Sequence, residues 1–174
     1  MTFYLFSIAA ITAGDQILKK SVEDFLPEGE ERKIFDGPLV LRRVYNKGAA
    51  CNLLDNRPEL VRKLSALLGG ALVLRTLWLC TKKGKKLEKT GMALLTGGAF
   101  SNIIDRFVRG KVVDYLAVES RCKPLSELTF NLGDVCIAAG AFLAAVFGTG
   151  TCRLRPVLNL TKEKEDPSEI YLER

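Results

Sequence analysis

Charged and apolar residues are segregated along this 174-residue chain. Charges cluster between residues 19 and 63, between 82 and 89, and after 153, and long apolar runs lie between these clusters. A soluble helical protein instead spreads its charges along one face of each helix. An apolar run of about 20 residues is long enough to cross a bilayer as a helix. The pattern therefore predicts a small protein that crosses the membrane several times.

The apolar runs predict an all-α integral membrane protein, a four-transmembrane-helix bundle with a small extracytoplasmic β cradle or ribbon. We expect the spans at roughly residues 2–18, 60–80, 90–108 and 132–152. The length of the chain suits one domain. We therefore predict a single membrane-embedded domain over residues 1–152, followed by a polar cytoplasmic tail over residues 153–174.

The first apolar run has a competing interpretation as a cleaved signal peptide. It lacks the positively charged start of such a peptide, and it continues into DQILKK without a cleavage site of small residues. We therefore expect a retained first helix. The next segment, roughly residues 20–58, mixes charges with Pro and Gly, and residues 39–41 and 44–45 within it have strand character. This segment predicts the extracytoplasmic β ribbon.

A short lysine-rich loop predicts the orientation in the membrane. Five lysines lie between the second and third apolar runs: Lys82, Lys83, Lys85, Lys86 and Lys89. Short loops rich in Lys and Arg stay on the cytoplasmic side. Four spans then place both termini in the cytoplasm and leave segments 20–58 and 109–130 at the outer face.

The composition excludes several kinds of catalytic site. The chain has no histidine, which removes the commonest general base and metal ligand. A zinc hydrolase or a Ser-His-Asp enzyme is therefore not expected, and we predict no metal and no cofactor. The five cysteines are scattered through the chain and do not predict a disulfide framework: Cys51, Cys80, Cys122, Cys136 and Cys152.

Carboxylates stand at the ends of the apolar runs, where they are costly to place. Asp105 and Arg106 end the third run, Asp114 follows them, and Asp134 opens the fourth run. The third span leaves the membrane and the fourth enters it on the same outer side, so Asp114 and Asp134 are expected at one membrane depth. Consecutive spans also usually lie side by side. Two close carboxyl groups share a proton. Such a pair can activate a water molecule for attack on an amide without metal or histidine.

Spacing alone leaves other interpretations of these acids open. A small membrane transporter uses buried acids as ion sites, and a scaffold uses them as ties between helix ends. Asp134 also suits the cap of its own helix. Transport favours acids near the midplane of the spans, whereas these acids stand at one interfacial level. A different intramembrane aspartic protease type uses Tyr-Asp and Gly-x-Gly-Asp motifs, but here Asp114 precedes Tyr115 and Asn131 replaces the first glycine.

Five blocks of polar and small residues follow one another along the chain: DQILK (15–19), NKGAA (46–50), GGAFSNIIDR (97–106), GKVVDY (110–115) and FNLGD (130–134). In this order they resemble lipoprotein signal peptidase, also called signal peptidase II, up to about residue 152. The resemblance implies a bacterial inner-membrane aspartic endopeptidase with four transmembrane helices and an active site at the outer face. Such enzymes remove the signal peptide of a prolipoprotein before a cysteine that carries diacylglyceryl.

The resemblance also assigns residues and partners. It implies that Asp114 and Asp134 are the catalytic dyad. The other matching residues would position the substrate or hold the dyad: Asp15, Lys19, Asn46, Gly48, Ala50, Asn102, Asp105, Arg106 and Asn131. The implied partners are diacylglyceryl-modified prolipoproteins, membrane lipids and globomycin-type inhibitors. No nucleic-acid partner is expected, and we expect a monomer.

Four residues depart from the family pattern beside the site. Cys51 stands where an aromatic residue is usual, and Ser101 and Gly133 replace a glycine and an alanine. Ala117 stands where another acid often follows. Because neither member of the dyad is affected, we expect these departures to alter the fit of substrate or inhibitor.

Overall fold

A computed structural model describes residues 1–34, 37–48, 54–120, 126 and 128–148. It is helix-rich and contains one small antiparallel sheet. The helices are α1 (Thr2–Phe25), α2 (Pro58–Cys80), α3 (Lys86–Val108) and α4 (Leu132–Gly148). The strands are β1 (Glu31–Lys33), β2 (Leu39–Asn46), β3 (Val112–Val118) and β4 (Thr129–Phe130).

The first helix continues past the predicted end of its span, from residue 18 to Phe25. Lys19 and Val22 are buried on its inner face, and Val22 packs with Leu26 and Tyr115 in an apolar cluster. The helix therefore continues because its last turns still pack against the rest of the protein. The third helix begins at Lys86, four residues before the predicted start. The predicted end of the fourth span and the tail, 153–174, lie outside the described residues.

The sheet joins the two segments that were expected outside the membrane. Its strand order is β1-β2-β3-β4, with every neighbouring pair antiparallel. The prediction confined β structure to residues 20–58, whereas β3 and β4 come from the later segment. The β-branched and aromatic residues of VVDYLAV made that strand recognisable in principle. Its central position places Asp114 opposite Val44, next to a register shift between Leu41 and Val44.

The third helix packs against α1, α2 and α4. Small residues allow the closest approach, which is typical of helix interfaces in membranes. A Cβ atom added to Gly140 would lie 2.5 Å from the Gly91 carbonyl oxygen and would also meet the Leu95 amide. A Cβ atom on Gly98 would meet the Gly133 carbonyl. The latter pair brings the first turn of α4, with Asp134, against α3.

Among the described residues, α2 is the one helix that is long and apolar enough to cross a membrane by length and composition. The shorter helix α4 is also apolar. Large apolar side chains are exposed on several helices, including Phe6 at 72%, Leu67 at 71% and Phe142 at 67%. Because only α2 meets the criterion of length and composition among the described residues, the four membrane spans stay a prediction.

Candidate active site

Two carboxylates from different elements meet at one cavity. Asp114 lies on β3 and Asp134 in the first turn of α4, and both line a cavity of about 530 Å³. Asn131 connects them. Its side-chain amide donates to Asp114 Oδ1 across 2.7 Å, and its backbone N–H donates to Asp134 Oδ2 across 3.1 Å. The two acids are therefore held by a common residue.

Asn131 and Asp134 form a capping box at the start of α4. The Asn131 Oδ1 accepts from the Asp134 N–H across 2.9 Å, while the Asp134 carboxylate accepts from the Asn131 N–H. This reciprocal pair satisfies two amide groups that a helix start otherwise leaves without partners. Asn102 Nδ2 also donates to Asp134 Oδ1 across 2.8 Å. The sequence interpretation made Asp134 the helix cap, but Asn131 occupies the cap position and Asp134 is its reciprocal partner in the first turn. Asp134 also lines the cavity.

Asp114 has fewer close hydrogen-bond donors than Asp134. Asn131 is its close donor, and Asn46 Nδ2 lies 3.4 Å from Asp114 Oδ2. The residue is only 5% exposed. Burial, followed by the nearby charge of Asp134, raises the pKa of Asp114 from 3.8 to about 7. Asp114 is therefore the member of the pair that most readily keeps a proton near neutral pH.

A fully buried ion cluster lies behind Asn102. The Lys19 ammonium contacts Asp15 Oδ2 at 2.8 Å and Asp105 Oδ2 at 2.9 Å, and none of the three side chains is exposed. Ser101 donates to Asp15 across 2.6 Å and accepts from Lys19 at 3.2 Å. The hydroxyl of Ser101, which replaces the family's common glycine, is thus part of this cluster. Buried charges of this kind need such complete pairing.

The cluster ties α1 and α3 to β3, the strand that carries Asp114. Asp105 Oδ2 accepts from the Val113 N–H at 3.2 Å, and its Oδ1 accepts from Arg109 at 2.5 Å. Val113 directly precedes Asp114. Asp105 and Lys19 therefore position the strand and Asn102, and they have no direct contact with the cavity. The scaffold interpretation, in which buried acids tie helix ends, fits Asp15 and Asp105.

Arg106 connects α3 to the segment after β2. Its guanidinium donates to the Gly48 carbonyl at 3.1 Å and to the Asn102 carbonyl at 3.2 Å. Gly48 N–H in turn donates to Asn46 Oδ1 across 2.9 Å. Arg106, Asn46 and Asn102 all line the cavity. Ala50, the remaining predicted site residue, lies outside the described residues, as does Cys51.

Besides Ser101, two more of the four departures have a visible local setting. Gly133 is crowded, because a Cβ atom there would lie 2.9 Å from Asn131 Oδ1 and 3.0 Å from Asp15 Oδ2. Ala117 is buried in the centre of the sheet at 1% exposure, where a carboxylate would lose its solvation. Both positions therefore favour the small residue present in this chain.

Two polar neighbours of the site were not predicted from the sequence. The Tyr115 hydroxyl donates to Asp15 Oδ1 across 3.0 Å and accepts from the Leu132 N–H at 3.1 Å, so it joins α1 to the start of α4. Gln16 donates to Asp105 and accepts from Arg109. Tyr115 and Gln16 lie inside the quoted motifs. Their position inside the motifs was the one signal that could have indicated that these side chains contact site residues.

The remaining wall of the cavity is apolar. It is formed by side chains of α2, α3, α4 and the residues around β4, which include Leu68, Leu72, Leu95, Ile103, Ile137 and Phe130. The dyad therefore stands between a polar rim of asparagines and arginine and an apolar recess between helices. An extended peptide that carries a hydrophobic group has chemically matched surfaces on both sides.

Comparisons with known proteins show which family the chain belongs to. A family model described as Signal peptidase (SPase) II matches residues 7–149. A lipoprotein signal peptidase of Mesorhizobium japonicum is 36% identical over 143 residues, covering 80% of this chain and 81% of the relative. One of Nostoc punctiforme is 38% identical over 138 residues, covering 78% and 84%. These matches confirm the family resemblance.

The fold has solved counterparts. A bacterial membrane enzyme solved by the in meso method at 2.3 Å resolution matches with a TM-score of 0.72 at 18% identity, covering 95% of this chain and 96% of that one. A second such structure, at 1.9 Å resolution, matches with a TM-score of 0.69 at 19% identity, covering 84% and 92%. At these identities the likeness shows the shared fold.

Proposed function

The chain belongs to the signal peptidase II family, and from this we propose that it is an aspartic endopeptidase that removes signal peptides from prolipoproteins. The observation that carries the mechanism is the asymmetric bridge of Asn131 between Asp114 and Asp134. It supports a pair of carboxyl groups that share one proton and differ in role. The cut lies before the cysteine that carries diacylglyceryl.

We assign the ionised role to Asp134 and the protonated role to Asp114. Asp134 accepts from Asn102 and from the Asn131 backbone at the positive end of α4, and both interactions favour its charged form. Asp114 is buried in β3 with one close donor. The environments thus separate the affinities of the two acids for a proton, as an acid–base pair requires.

The reaction needs one water molecule and no further reagent. Asp134 takes a proton from the water molecule while the water oxygen attacks the scissile carbonyl carbon. At the same time Asp114 donates its proton to the carbonyl oxygen. The resulting gem-diol collapses when the leaving nitrogen receives the proton from Asp134 and Asp114 recovers its own. The carbon–nitrogen bond breaks, a carboxylic acid and an amine form, and the dyad returns to its starting state.

Arg106 is the best candidate for orienting the substrate backbone. Its Nε is buried and has no hydrogen-bond partner among the described residues, although the rest of its guanidinium holds Gly48 and Asn102. A buried donor without a partner is costly. A carbonyl oxygen of the peptide in the cavity would satisfy it. Asn46, Gly48 and Ala50 would form the adjoining edge, and Asp15, Lys19, Asn102, Asp105 and Asn131 would hold the dyad.

The membrane arrangement follows from the same proposal. The four helices would cross the bacterial inner membrane as a monomer, with both termini and the lysine loop in the cytoplasm. The sheet and the dyad would then face the outer side. The apolar recess beside the dyad suits the diacylglyceryl group, and a globomycin-type inhibitor would compete for the same cavity.

A pair of matched substrates tests the activity. The purified protein in detergent is incubated with a diacylglyceryl-modified prolipoprotein and with its unlipidated twin, and the products are identified by mass spectrometry. We expect cleavage before the modified cysteine in the first substrate only. Equal cleavage of both substrates would contradict the role of the lipid, and cleavage of neither would contradict the proposed reaction.

A further inference from the structure

A second groove lies apart from the dyad, between α1 and the first half of α3. Its volume is about 410 Å³, and its walls are almost entirely apolar. The α1 wall consists of Phe3, Tyr4, Phe6, Ser7, Ala10 and Ile11. The α3 wall consists of Thr90, Ala93 and Leu94. The Ser7 hydroxyl donates to the Phe3 carbonyl of its own helix, so it does not make the groove polar.

The two helices that form the groove run parallel. Thr12 Oγ1 donates to the Gly97 carbonyl at 2.9 Å, and Gln16 Nε2 donates to the Ser101 carbonyl at 3.0 Å. Both contacts join residues 85 positions apart. Because this separation is constant along the two helices, the start of α1 lies at the level of the start of α3. The groove therefore opens towards the lysine loop, at the end of the helices opposite the dyad.

Positive charge stands at that opening. Lys86 lies one turn before Thr90 and two turns before Leu94, so it shares the helix face that lines the groove. Lys86 is exposed, as is Lys83, and neither has an acidic partner among the described residues. From Thr2 to Gly14, α1 has no charged side chain. The groove thus combines an apolar wall with an uncompensated cation at one end.

The nearby acid is turned away from the groove. Glu88 is 1% exposed, and its carboxylate pairs with Arg75 at 2.7 Å and with Lys85 at 2.9 Å. Lys89 Nζ donates to the Lys82 carbonyl across 2.6 Å, which holds the loop against the start of α3. The Lys82 ammonium lies 4.7 Å from the Trp78 ring centre. The loop is therefore an ordered cationic surface.

We propose that this groove is a binding site for an anionic phospholipid of the leaflet that faces the lysine loop. The acyl chain lies along Phe3–Ile11, a length of about 12 Å at 1.5 Å per residue. The phosphate is held by Lys86, with Lys83 and Lys82 around it. Basic residues beside an apolar helix surface are the groups that select anionic headgroups. The site rests on the membrane placement and is independent of the dyad.

Lipid titrations of the purified protein test this site. Thermal unfolding in neutral detergent is followed against added phosphatidylglycerol, phosphatidylcholine with the same acyl chains, and glycerol phosphate. We expect a saturable rise in unfolding temperature with phosphatidylglycerol only. Native mass spectrometry should then retain one phosphatidylglycerol molecule. Equal effects of the two lipids would overturn the role of charge, and an effect of glycerol phosphate alone would overturn the role of the groove.

Matched variants separate the headgroup site from the groove. Lys86→Gln should weaken apparent affinity for phosphatidylglycerol about fivefold, the contribution of one lysine at an anionic surface. Lys63→Gln, at the other end of the bundle, should not. Ala10→Phe fills the groove and should weaken binding by at least about tenfold, because two buried methylene groups contribute that much. Ala9→Phe, which points to another face of α1, should not.

The same titration separates this proposal from the catalytic one. Asp114→Asn should bind phosphatidylglycerol with unchanged affinity, whatever its effect on cleavage. Unchanged binding in both Lys86→Gln and Ala10→Phe would overturn the site.

Discussion

The Lys19 ammonium lies 2.8 Å from the Asn102 amide oxygen. Because an ammonium can only donate, this contact fixes the orientation of the Asn102 amide. Its NH₂ group must then face Asp134, to which it donates across 2.8 Å. A fully buried lysine on α1 thereby acts on the Asp134 carboxylate through one asparagine on α3.

Replacement of Lys19 should destabilise the protein strongly. In Lys19→Met, Asp15 and Asp105 lose their shared cation while they stay buried. Breaking a buried ion pair in this way costs about 3–5 kcal/mol. Thermal unfolding in detergent measures the loss. The matched control is Lys20→Met, since Lys20 pairs with Asp24 at the exposed surface and should contribute little. Equal stability of the two variants would show that the cluster has no tying role.

Replacement of either dyad member should abolish cleavage. Asp114→Asn and Asp134→Asn keep the shape of the side chain and remove the proton transfer, which predicts a loss of at least about 10³-fold in kcat. Both variants should still insert and fold. Asp24→Asn, at the exposed end of α1, is the control and should cleave normally. Near-normal processing by either dyad variant would remove that residue from the mechanism.

The pH profile should report the proton on Asp114. Burial and the charge of Asp134 raise the pKa of Asp114 to about 7, so the acid form is present below that pH. As pH rises through this value, the proton is lost, and kcat/KM for the lipidated substrate should fall. A profile that stays flat from pH 6 to 9 would contradict the assignment of Asp114 as the acid.

The same raised pKa predicts how stability depends on pH. Between the unfolded value of 3.8 and about 7, the folded protein keeps a proton that the unfolded chain releases. Stability should therefore fall as pH rises through this window, and it should fall less in Asp114→Asn. Unfolding temperatures of the two proteins at pH 4.5, 6 and 7.5 provide the comparison.

Cleavage should survive strong chelators. The proposed dyad activates water by itself, so EDTA or 1,10-phenanthroline should leave the rate unchanged. The informative measurement is the initial rate after dialysis against chelator, with and without added Zn²⁺ or Mg²⁺. Loss of activity that a metal ion restores would contradict a metal-independent mechanism.

Close packing of α3 with α4 should not tolerate a methyl group. Gly140→Ala places a Cβ atom against the Gly91 carbonyl, 2.5 Å away, and against the Leu95 amide. Forced separation of packed elements costs about 1–3 kcal/mol. Gly70→Ala on α2 is the control, because nothing lies within 4 Å of its Cβ position. Since alanine has a higher helix propensity than glycine, Gly70→Ala should leave stability unchanged or raise it.

Some parts of this protein follow from the sequence alone. The segregation of charge predicted the helical segments, and each of the described helices overlaps a predicted run. The motif blocks predicted the family, which the comparisons confirm. The positions of Asp114 and Asp134 also indicated a site, because carboxylates at the ends of apolar runs are energetically costly and are usually functional.

Only the tertiary structure decided how the site residues divide their roles. Asp105 and Arg106 are neighbours in the sequence, yet Asp105 is sealed in the Lys19 cluster and Arg106 lines the cavity. The strand status of Asp114, the contact of Asn131 with Asp114 and the participation of Tyr115 depend on contacts between residues 17 to 100 positions apart. Local spacing specifies which helix face a side chain occupies. The partner that meets that face is set by the packing of the helices and the sheet.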